Sequence, residues 1–199
     1  GHSVGGGDTL LFRLLTIASA LPNGNPILRV ARAMANRTSG NFHLFSMNNQ
    51  NQTALITGAS SGIGLGLTKG FLAEGFNVVA NSRHVTTSGT LSPSDDLLLV
   101  DGDVGEASTA RDLIETTERR FGRIDVLINN AGIFVPKPFV EYSSEDFDRV
   151  VSTNLAGFFY VSQEAARHMR QRGGGQIITI TTTLAQQPVA GVSAALTSL

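Results

Sequence analysis

The chain has 199 residues, of which 41% are hydrophobic and 16% are charged, as expected for one domain with a substantial core rather than for a disordered chain or a membrane bundle. The formal net charge of -1 and the absence of cysteine exclude a basic field for nucleic acid, disulfides, thiolate catalysis and cysteine-based zinc sites. No apolar run approaches the roughly 18 residues of a membrane span, so we expect no nucleic-acid, membrane or metal partner.

Residues 1–46 differ in composition from the rest of the chain. They are rich in Gly, Asn, Ser and Arg, and Asp8 is their only acidic residue. Three interpretations stay open: a poorly structured extension, a mitochondrial transit peptide, which the arginines favour, and a secretory signal, which the apolar residues 10–20 resemble. We therefore predict an extension over residues 1–46, a folded domain over residues 47–199, and a cytoplasmic or, alternatively, mitochondrial location.

A short apolar run at residues 53–57 predicts a buried parallel strand. It is followed by glycines in the spacing G-x-x-x-G-x-G and then by a helical pattern that ends near Gly75. Glycines at such a turn let a diphosphate approach the backbone N–H groups, and the helix directs its positive dipole end at the anion. The residues predicted to surround a dinucleotide diphosphate are Gly58, Ser60, Ser61, Gly62, Ile63 and Gly64.

The second predicted strand covers residues 76–82 and is followed by Arg83. A site that prefers NAD usually has an Asp or Glu at this point, which accepts hydrogen bonds from the ribose 2′-OH. Arg83 would instead form charge-assisted bonds to the 2′-phosphate of NADP. NADP(H) is therefore favoured over NAD(H), and a solvated arginine at a strand end is the competing interpretation.

Two further strands are predicted, at residues 97–100 and 124–128, with a helix over residues 106–121 between them. Each leads into polar or small residues at its carboxyl end, where open α/β sheets bind ligands. An aspartate after the first of these strands is, by itself, typical of a turn or a helix N-cap. The candidate residues after the two strands are Asp103, Val104, Asn130, Ala131 and Gly132.

The longest helical pattern covers residues 144–172, with Ser143 or Ser144 as its N-cap. Its apolar stripe follows the i, i+3, i+4, i+7 rule and includes Asn154. A buried amide without partners costs roughly 1–3 kcal/mol, so this side chain must be hydrogen-bonded. The stripe comprises Phe147, Val150, Val151, Asn154, Phe158, Val161 and Ala165. Three glycines then turn the chain into a fifth predicted strand over residues 176–183.

These motifs together resemble the short-chain dehydrogenase/reductase family. The family signature Thr-Gly-x-x-x-Gly-x-Gly is matched throughout at residues 57–64, and Asn-Asn-Ala-Gly follows at residues 129–132. The resemblance implies that Asp103 and Val104 hold the adenine. It also implies that the second motif supports the sheet and contacts the adenosine ribose.

The resemblance further implies two residues near the reaction. Asn154 matches the family asparagine that anchors a proton-relay water. Thr182 stands where family members carry a serine whose hydroxyl bonds the substrate carbonyl, and Thr181 or Thr183 takes that place if the alignment shifts by one residue. Strand threonines without a catalytic role are the competing interpretation.

The family reaction needs Tyr-x-x-x-Lys after the fifth strand, and this chain departs from that pattern. Its tyrosines are Tyr142 and Tyr160, both before the strand, and its last lysine is Lys137. Either a fragment of a longer reductase or a diverged member without the proton donor explains the departure. The fragment is favoured, because the sequence ends within a recognisable motif region.

The resemblance covers residues 53–199 and implies an α/β fold, a doubly wound parallel sheet of the Rossmann type that is incomplete at its C-terminus. Five of seven strands are expected, in the order 3-2-1-4-5. The implied function is NADP-dependent hydride transfer between NADPH and a small-molecule carbonyl or alcohol. The alternative is a catalytically inactive NAD(P)-binding module or a non-functional fragment. Family members commonly form homo-oligomers through the long helix.

Overall fold

The computed structural model describes residues 15–18 and 51–181. The strands in these ranges are β1 (Leu15–Ala18), β2 (Thr53–Thr57), β3 (Asn77–Ser82), β4 (Leu97–Asp101), β5 (Val126–Asn129) and β6 (Gln176–Thr181). The helices are α1 (Gly62–Ala73), α2 (Ala107–Phe121), α3 (Ser144–Val150) and α4 (Gly157–Gln171), with a 3-10 turn at Phe139–Glu141 and a π-helical turn at Val151–Ala156.

All these strands are parallel and lie in one sheet in the order β1-β6-β5-β2-β3-β4. From β2 onward this is the order third, second, first, fourth, fifth, so the predicted doubly wound α/β sheet and its strand order are confirmed. The chain leaves β2 for β3 and β4 on one side, and then crosses to β5 and β6 on the other. The carboxyl ends of β2 and β5 therefore flank the topological switch point of the sheet, where ligands bind in folds of this kind.

Helices cover both faces of the sheet, and β2 lies fully buried between them. Alternate residues of a strand point to opposite faces. Ile56 accordingly packs in the cluster that contains Phe71 of α1, whereas Leu55 packs in the cluster that contains Leu113 of α2 and Val161 of α4. Burial on both faces explains why the three central residues of β2, Ala54, Leu55 and Ile56, are all apolar instead of alternating with polar ones.

Strand β1 is an element that the sequence analysis did not predict. It pairs in parallel with β6, with Leu15 opposite Ile178 and Ala18 opposite Thr181. It thus covers the edge of β6 that faces away from β5. The rest of the predicted extension lies outside the described residues, so the division of the chain at residue 46 stays a prediction.

The long helix differs from its prediction, because a π-helical turn separates α3 from α4. Hydrogen bonds in such a turn span five residues instead of four, which rotates the residues before it relative to those after it. Val150 and Val161 of the predicted stripe are buried, but Phe147 is 47% exposed, so its predicted burial is wrong. Within residues 51–181, no helix has both the length and the apolar character needed to cross a membrane.

Polar contacts fix the loop between β5 and α3 to the start of α3. Of the two predicted candidates, Ser143 is the N-cap: its hydroxyl accepts from the N–H of Asp146 (3.2 Å), and its own N–H donates to the Asp146 carboxylate (3.3 Å). The ammonium of Lys137 forms an ion pair with the same carboxylate. The hydrogen bond from Lys137 holds the pKa of the Asp146 carboxyl below its usual range, against the opposing effect of burial.

The substitution Asp146→Asn tests this anchor through its pH dependence. Because the pKa of Asp146 is lower in the folded chain, its contribution to stability is present above the unfolded value of about 4 and is lost as the pH falls through the folded value. We therefore expect the free energy of unfolding, measured by urea denaturation, to decrease between about pH 6 and about pH 3. This decrease should be larger for the unsubstituted chain than for Asp146→Asn.

Asp148→Asn, which changes an exposed aspartate of the same helix, is the matched control. It should keep the pH dependence of the unsubstituted chain. If Asp146→Asn keeps that dependence as well, the proposed anchor is wrong.

Candidate functional site

A cavity of about 380 Å³ opens at the carboxyl ends of β2, β5 and β6. The strand ends and the loop after β5 line one side of it, and the π-helical turn and the start of α4 line the other. The cavity lies at the switch point of the sheet, where ligands bind in folds of this kind. The lining residues are Thr57, Ile63, Val104, Asn129, Asn130, Ala131, Gly132, Ile133, Phe134, Asn154, Gly157, Phe158, Thr179, Ile180 and Thr181.

The glycines between β2 and α1 stand where a side chain would be obstructed or strained. Gly58 (φ 65°) and Gly62 (φ 51°) adopt left-handed backbone conformations, which residues with a Cβ rarely adopt. A Cβ at Gly64 would collide with the carbonyl oxygen of Gly58 and lie 2.5 Å from Nδ2 of Asn130. The turn therefore requires glycine for a tight local fold and for close contact with the end of β5.

Asn130 joins the end of β5 to this glycine-rich turn. Its Nδ2 donates to the carbonyl oxygens of Thr57 (3.0 Å) and Gly58 (3.1 Å). In the opposite direction, the hydroxyl of Thr57 accepts from the backbone N–H groups of Asn130 and Ala131, at 3.1 Å each. The two motifs that the sequence analysis singled out are thus bonded to each other.

The start of α1 borders the cavity and leaves backbone donors unpaired within the helix. Ser61 is the N-cap, and its side chain makes no capping hydrogen bond. The N–H of Leu65 donates to the carbonyl of Ser61 (3.1 Å), so the N–H groups of Gly62, Ile63 and Gly64 have no acceptor within the helix. The first turn carries no acidic side chain. These residues fit the diphosphate of a dinucleotide, since helix N-termini with free N–H groups bind anions.

The segment after β3 lies beside the same turn. Its first residue, Arg83, is exposed, and the hydroxyl of Thr90 donates to the carbonyl of Ser60 (3.1 Å). The carboxylate of Asp101 accepts from the N–H of Thr86 (2.9 Å) and from its hydroxyl. The hydrogen bond from that hydroxyl lowers the pKa of the Asp101 carboxyl. Arg83 is therefore presented to solvent, and Thr86 binds the acid at the end of the neighbouring strand.

The predicted adenine residues occupy the turn after β4. Asp103 is exposed, and its Oδ1 accepts from the N–H of Gly105 (2.9 Å), the turn contact expected of a lone aspartate. Val104 is buried and lines the cavity. It packs so closely on α4 that a Cβ at Gly157 would lie 2.6 Å from its Cγ2. The turn and the start of α4 are therefore in direct contact.

Asn154 lies in the π-helical turn and lines the cavity. Its Oδ1 accepts from the N–H of Ile133 (2.8 Å), and its Nδ2 donates to the carbonyl of Ile133 (3.1 Å). This amide was expected to be hydrogen-bonded, and both of its partners are backbone groups of the loop after β5. The contact fixes that loop against the far side of the cavity.

The predicted threonines are only partly described. Thr181 ends β6 and lines the cavity, whereas Thr182, the preferred candidate, and Thr183 lie outside the described residues. Two cavity residues that begin the two motifs, but were not named as individual site residues, also contribute: Thr57, through its hydroxyl, and Asn129, whose Nδ2 donates to the hydroxyl of Ser162 (2.9 Å). A signal was present in the sequence, because a polar residue that ends a buried strand must be hydrogen-bonded.

Comparison with known protein families gives one match over most of the chain: residues 52–198 match the short chain dehydrogenase family. Gluconate 5-dehydrogenase of Gluconobacter oxydans is 39% identical over 145 residues, which cover 70% of this chain and 57% of that protein. Versicolorin reductase 1 of Aspergillus parasiticus is 34% identical over 143 residues, which cover 66% of this chain and 52% of the relative. The chain thus spans about half the length of the curated relatives it matches.

Solved structures agree with these sequence relatives. A crystal structure of a short chain dehydrogenase from Bacillus anthracis superposes with a TM-score of 0.69 at 32% identity, covering 75% of this chain and 63% of that one. A short-chain dehydrogenase/reductase from Brucella melitensis, described as a glucose/ribitol dehydrogenase, superposes with a TM-score of 0.65 at 28% identity, covering 77% and 67%.

The contact between α1 and Asn130 predicts a large effect of Gly64→Ala. The added methyl would displace the carbonyl of Gly58 or the amide of Asn130, and we expect a loss of about 1–3 kcal/mol in the free energy of unfolding, measured by urea denaturation. Gly132→Ala is the control, because its Cβ would lie 3.5 Å from Oδ1 of Asn154, an ordinary contact. Equal losses in the two variants would show that the contact with Asn130 does not constrain the turn.

Proposed function

Because the chain belongs to the short-chain dehydrogenase family, a family of NAD(P)-dependent oxidoreductases, we propose that its domain binds NADP(H). In this proposal the domain belongs to an enzyme that transfers hydride between NADPH and a small-molecule carbonyl or alcohol. The family membership rests on residues 52–198. What we propose for this particular chain is its preference for NADP(H) and the hydride-transfer reaction.

One observation carries the proposal: the start of α1, where three N–H groups have no acceptor within the helix, borders a cavity at the switch point of the sheet. A phosphate or diphosphate placed there receives hydrogen bonds from Gly62, Ile63 and Gly64 and is stabilised by the helix dipole. The cavity extends from this point to the π-helical turn and the end of β6. A dinucleotide would thus have its diphosphate at α1 and its two nucleosides on either side.

The preference for NADP rests on Arg83. The residue directly follows β3, where a 2′-OH-binding acid would stand in a site that prefers NAD. A guanidinium forms charge-assisted, bidentate hydrogen bonds with a phosphate. Arg83 is exposed to solvent, and the nearby carboxylate of Asp101 is hydrogen-bonded to Thr86, so the guanidinium is accessible to a 2′-phosphate.

The reacting end of the cofactor is proposed to face β6 and the π-helical turn. When bound, the nicotinamide supplies the hydride chemistry. We assign the hydroxyl of Thr182, which follows the cavity residue Thr181, to hydrogen-bond the substrate oxygen. Asn154, whose amide binds the loop at Ile133, is assigned to anchor a proton-relay water, as the family resemblance implies. A Tyr-x-x-x-Lys motif does not occur in the 199 residues.

Isothermal titration with NADPH and NADH tests the cofactor assignment. We expect tighter binding of NADPH, and we expect Arg83→Ala to weaken NADPH binding by about tenfold to a hundredfold, because bonds to a charged group contribute about 1.5–3 kcal/mol. NADH binding should change by less than about twofold, since its ribose carries no phosphate for Arg83 to bind.

Lys69→Ala is the control for the loss of one positive charge, because Lys69 is an exposed residue of α1. It should leave both affinities unchanged. Equal binding of the two dinucleotides, or an equal loss of both in Arg83→Ala, would contradict the preference for NADP. Binding of neither would contradict the proposed function itself.

A further inference from the structure

Asn81 is a buried polar residue near the end of β3, outside the lining of the cavity. Its side chain is 0% exposed, and its Nδ2 donates to the carbonyl oxygens of Val100 and Gly102, at 3.1 Å each. Both partners are acceptors only, so the orientation of the amide follows from its contacts. Asn81 therefore joins the end of β3 to the turn that follows β4.

The backbone of Asn81 makes a second link, to the glycine-rich turn. Its carbonyl oxygen accepts from the N–H of Ala59 (2.9 Å), and the N–H of Gly102 donates to the carbonyl of the next residue, Ser82 (3.1 Å). Three segments thus meet at Asn81: the turn that begins α1, the end of β3 and the turn after β4. The first two segments carry the residues proposed to bind the diphosphate and the 2′-phosphate. The third carries Asp103 and Val104, which the family resemblance assigns to the adenine.

The remaining polar atom of this side chain argues against a role in stability alone. Within residues 51–181, Oδ1 of Asn81 is buried and has no hydrogen-bond partner. A buried acceptor without a donor lowers stability, so an amide is a costly choice for filling this space. The amide donates two hydrogen bonds to the end of β4 and the turn that follows it. An apolar side chain could not make these bonds.

We propose that Asn81 is a positioning residue for nucleotide selectivity, an inference that rests on the proposed function. Arg83 follows Asn81 by two residues. The side-chain bonds of Asn81 hold this part of the backbone against the turn after β4, and its carbonyl holds it against the glycine-rich turn. A diphosphate bound at α1 and an adenine bound at the turn after β4 determine where the ribose lies. Discrimination at the 2′ position therefore depends on the placement of Arg83 relative to the turn after β4, which the side chain of Asn81 fixes.

The experiment measures the dissociation constants of NADPH and NADH by isothermal titration for the full chain, Asn81→Ala and Asn81→Ser. Serine keeps a donor but is too short to reach both carbonyls, so Asn81→Ser is the milder of the two variants. We expect the dissociation constant of NADH divided by that of NADPH to decrease toward one in both variants. The decrease should be on the order of fivefold or more, a typical coupling between neighbouring sites. General destabilisation would weaken both dinucleotides and leave their ratio unchanged.

Thr117→Val is the matched control, because it removes another fully buried polar contact, the hydrogen bond from the Thr117 hydroxyl to Leu113 within α2 (2.6 Å). It should lower the melting temperature without changing the ratio. An unchanged ratio in both Asn81 variants, beside a lowered melting temperature, would overturn the inference and leave the proposed function intact. If the unsubstituted chain binds neither dinucleotide, the proposed function fails and the inference fails with it.

Discussion

The side-chain amide of Asn130 donates to two consecutive carbonyl groups, those of Thr57 and Gly58, and the position of the whole site depends on this contact. It joins the ends of β2 and β5, which are neighbours in the sheet but lie about seventy residues apart in the chain. Since α1 begins against the same amide, Gly64 has no room for a side chain. The end of α1 that we propose to bind the diphosphate is thereby held at the switch point of the sheet.

A second asparagine holds the opposite end of the same loop. Asn154 binds both backbone groups of Ile133, so residues 130–133 are attached to the glycine-rich turn at one end and to the π-helical turn at the other. Val104 in turn packs against Gly157 at the start of α4. The cavity is therefore enclosed by segments that hold one another through few contacts, and a displacement at one contact would move more than one wall.

Much of this arrangement was predictable from the sequence, because it depends on local patterns. Buried parallel strands are mainly apolar, glycine spacing marks the phosphate turn, and the order of strands follows from the alternation of strands and helices. The elements that were missed depend on long-range contacts or on a local change in helix hydrogen bonding. β1 exists only through its pairing with β6. The π-helical turn leaves no periodic signal of its own. The predicted burial of Phe147 failed because the buried side of α3 carries Asp146 and Val150 instead. The motif containing Asn130 was recognised, but its bonds to Thr57 and Gly58 were not deducible from spacing.

The proposed function requires that a dinucleotide binds across the carboxyl ends of β2 and β5, with its diphosphate at the start of α1. An NMR titration of the isotope-labelled chain with NADPH, which follows each backbone amide, tests this placement. We expect the largest shifts at the N–H groups of Gly62, Ile63 and Gly64. No shifts, or shifts concentrated at the cavity near the amino ends of β5 and β6, which is lined by residues including Arg123 and Arg172, would contradict it.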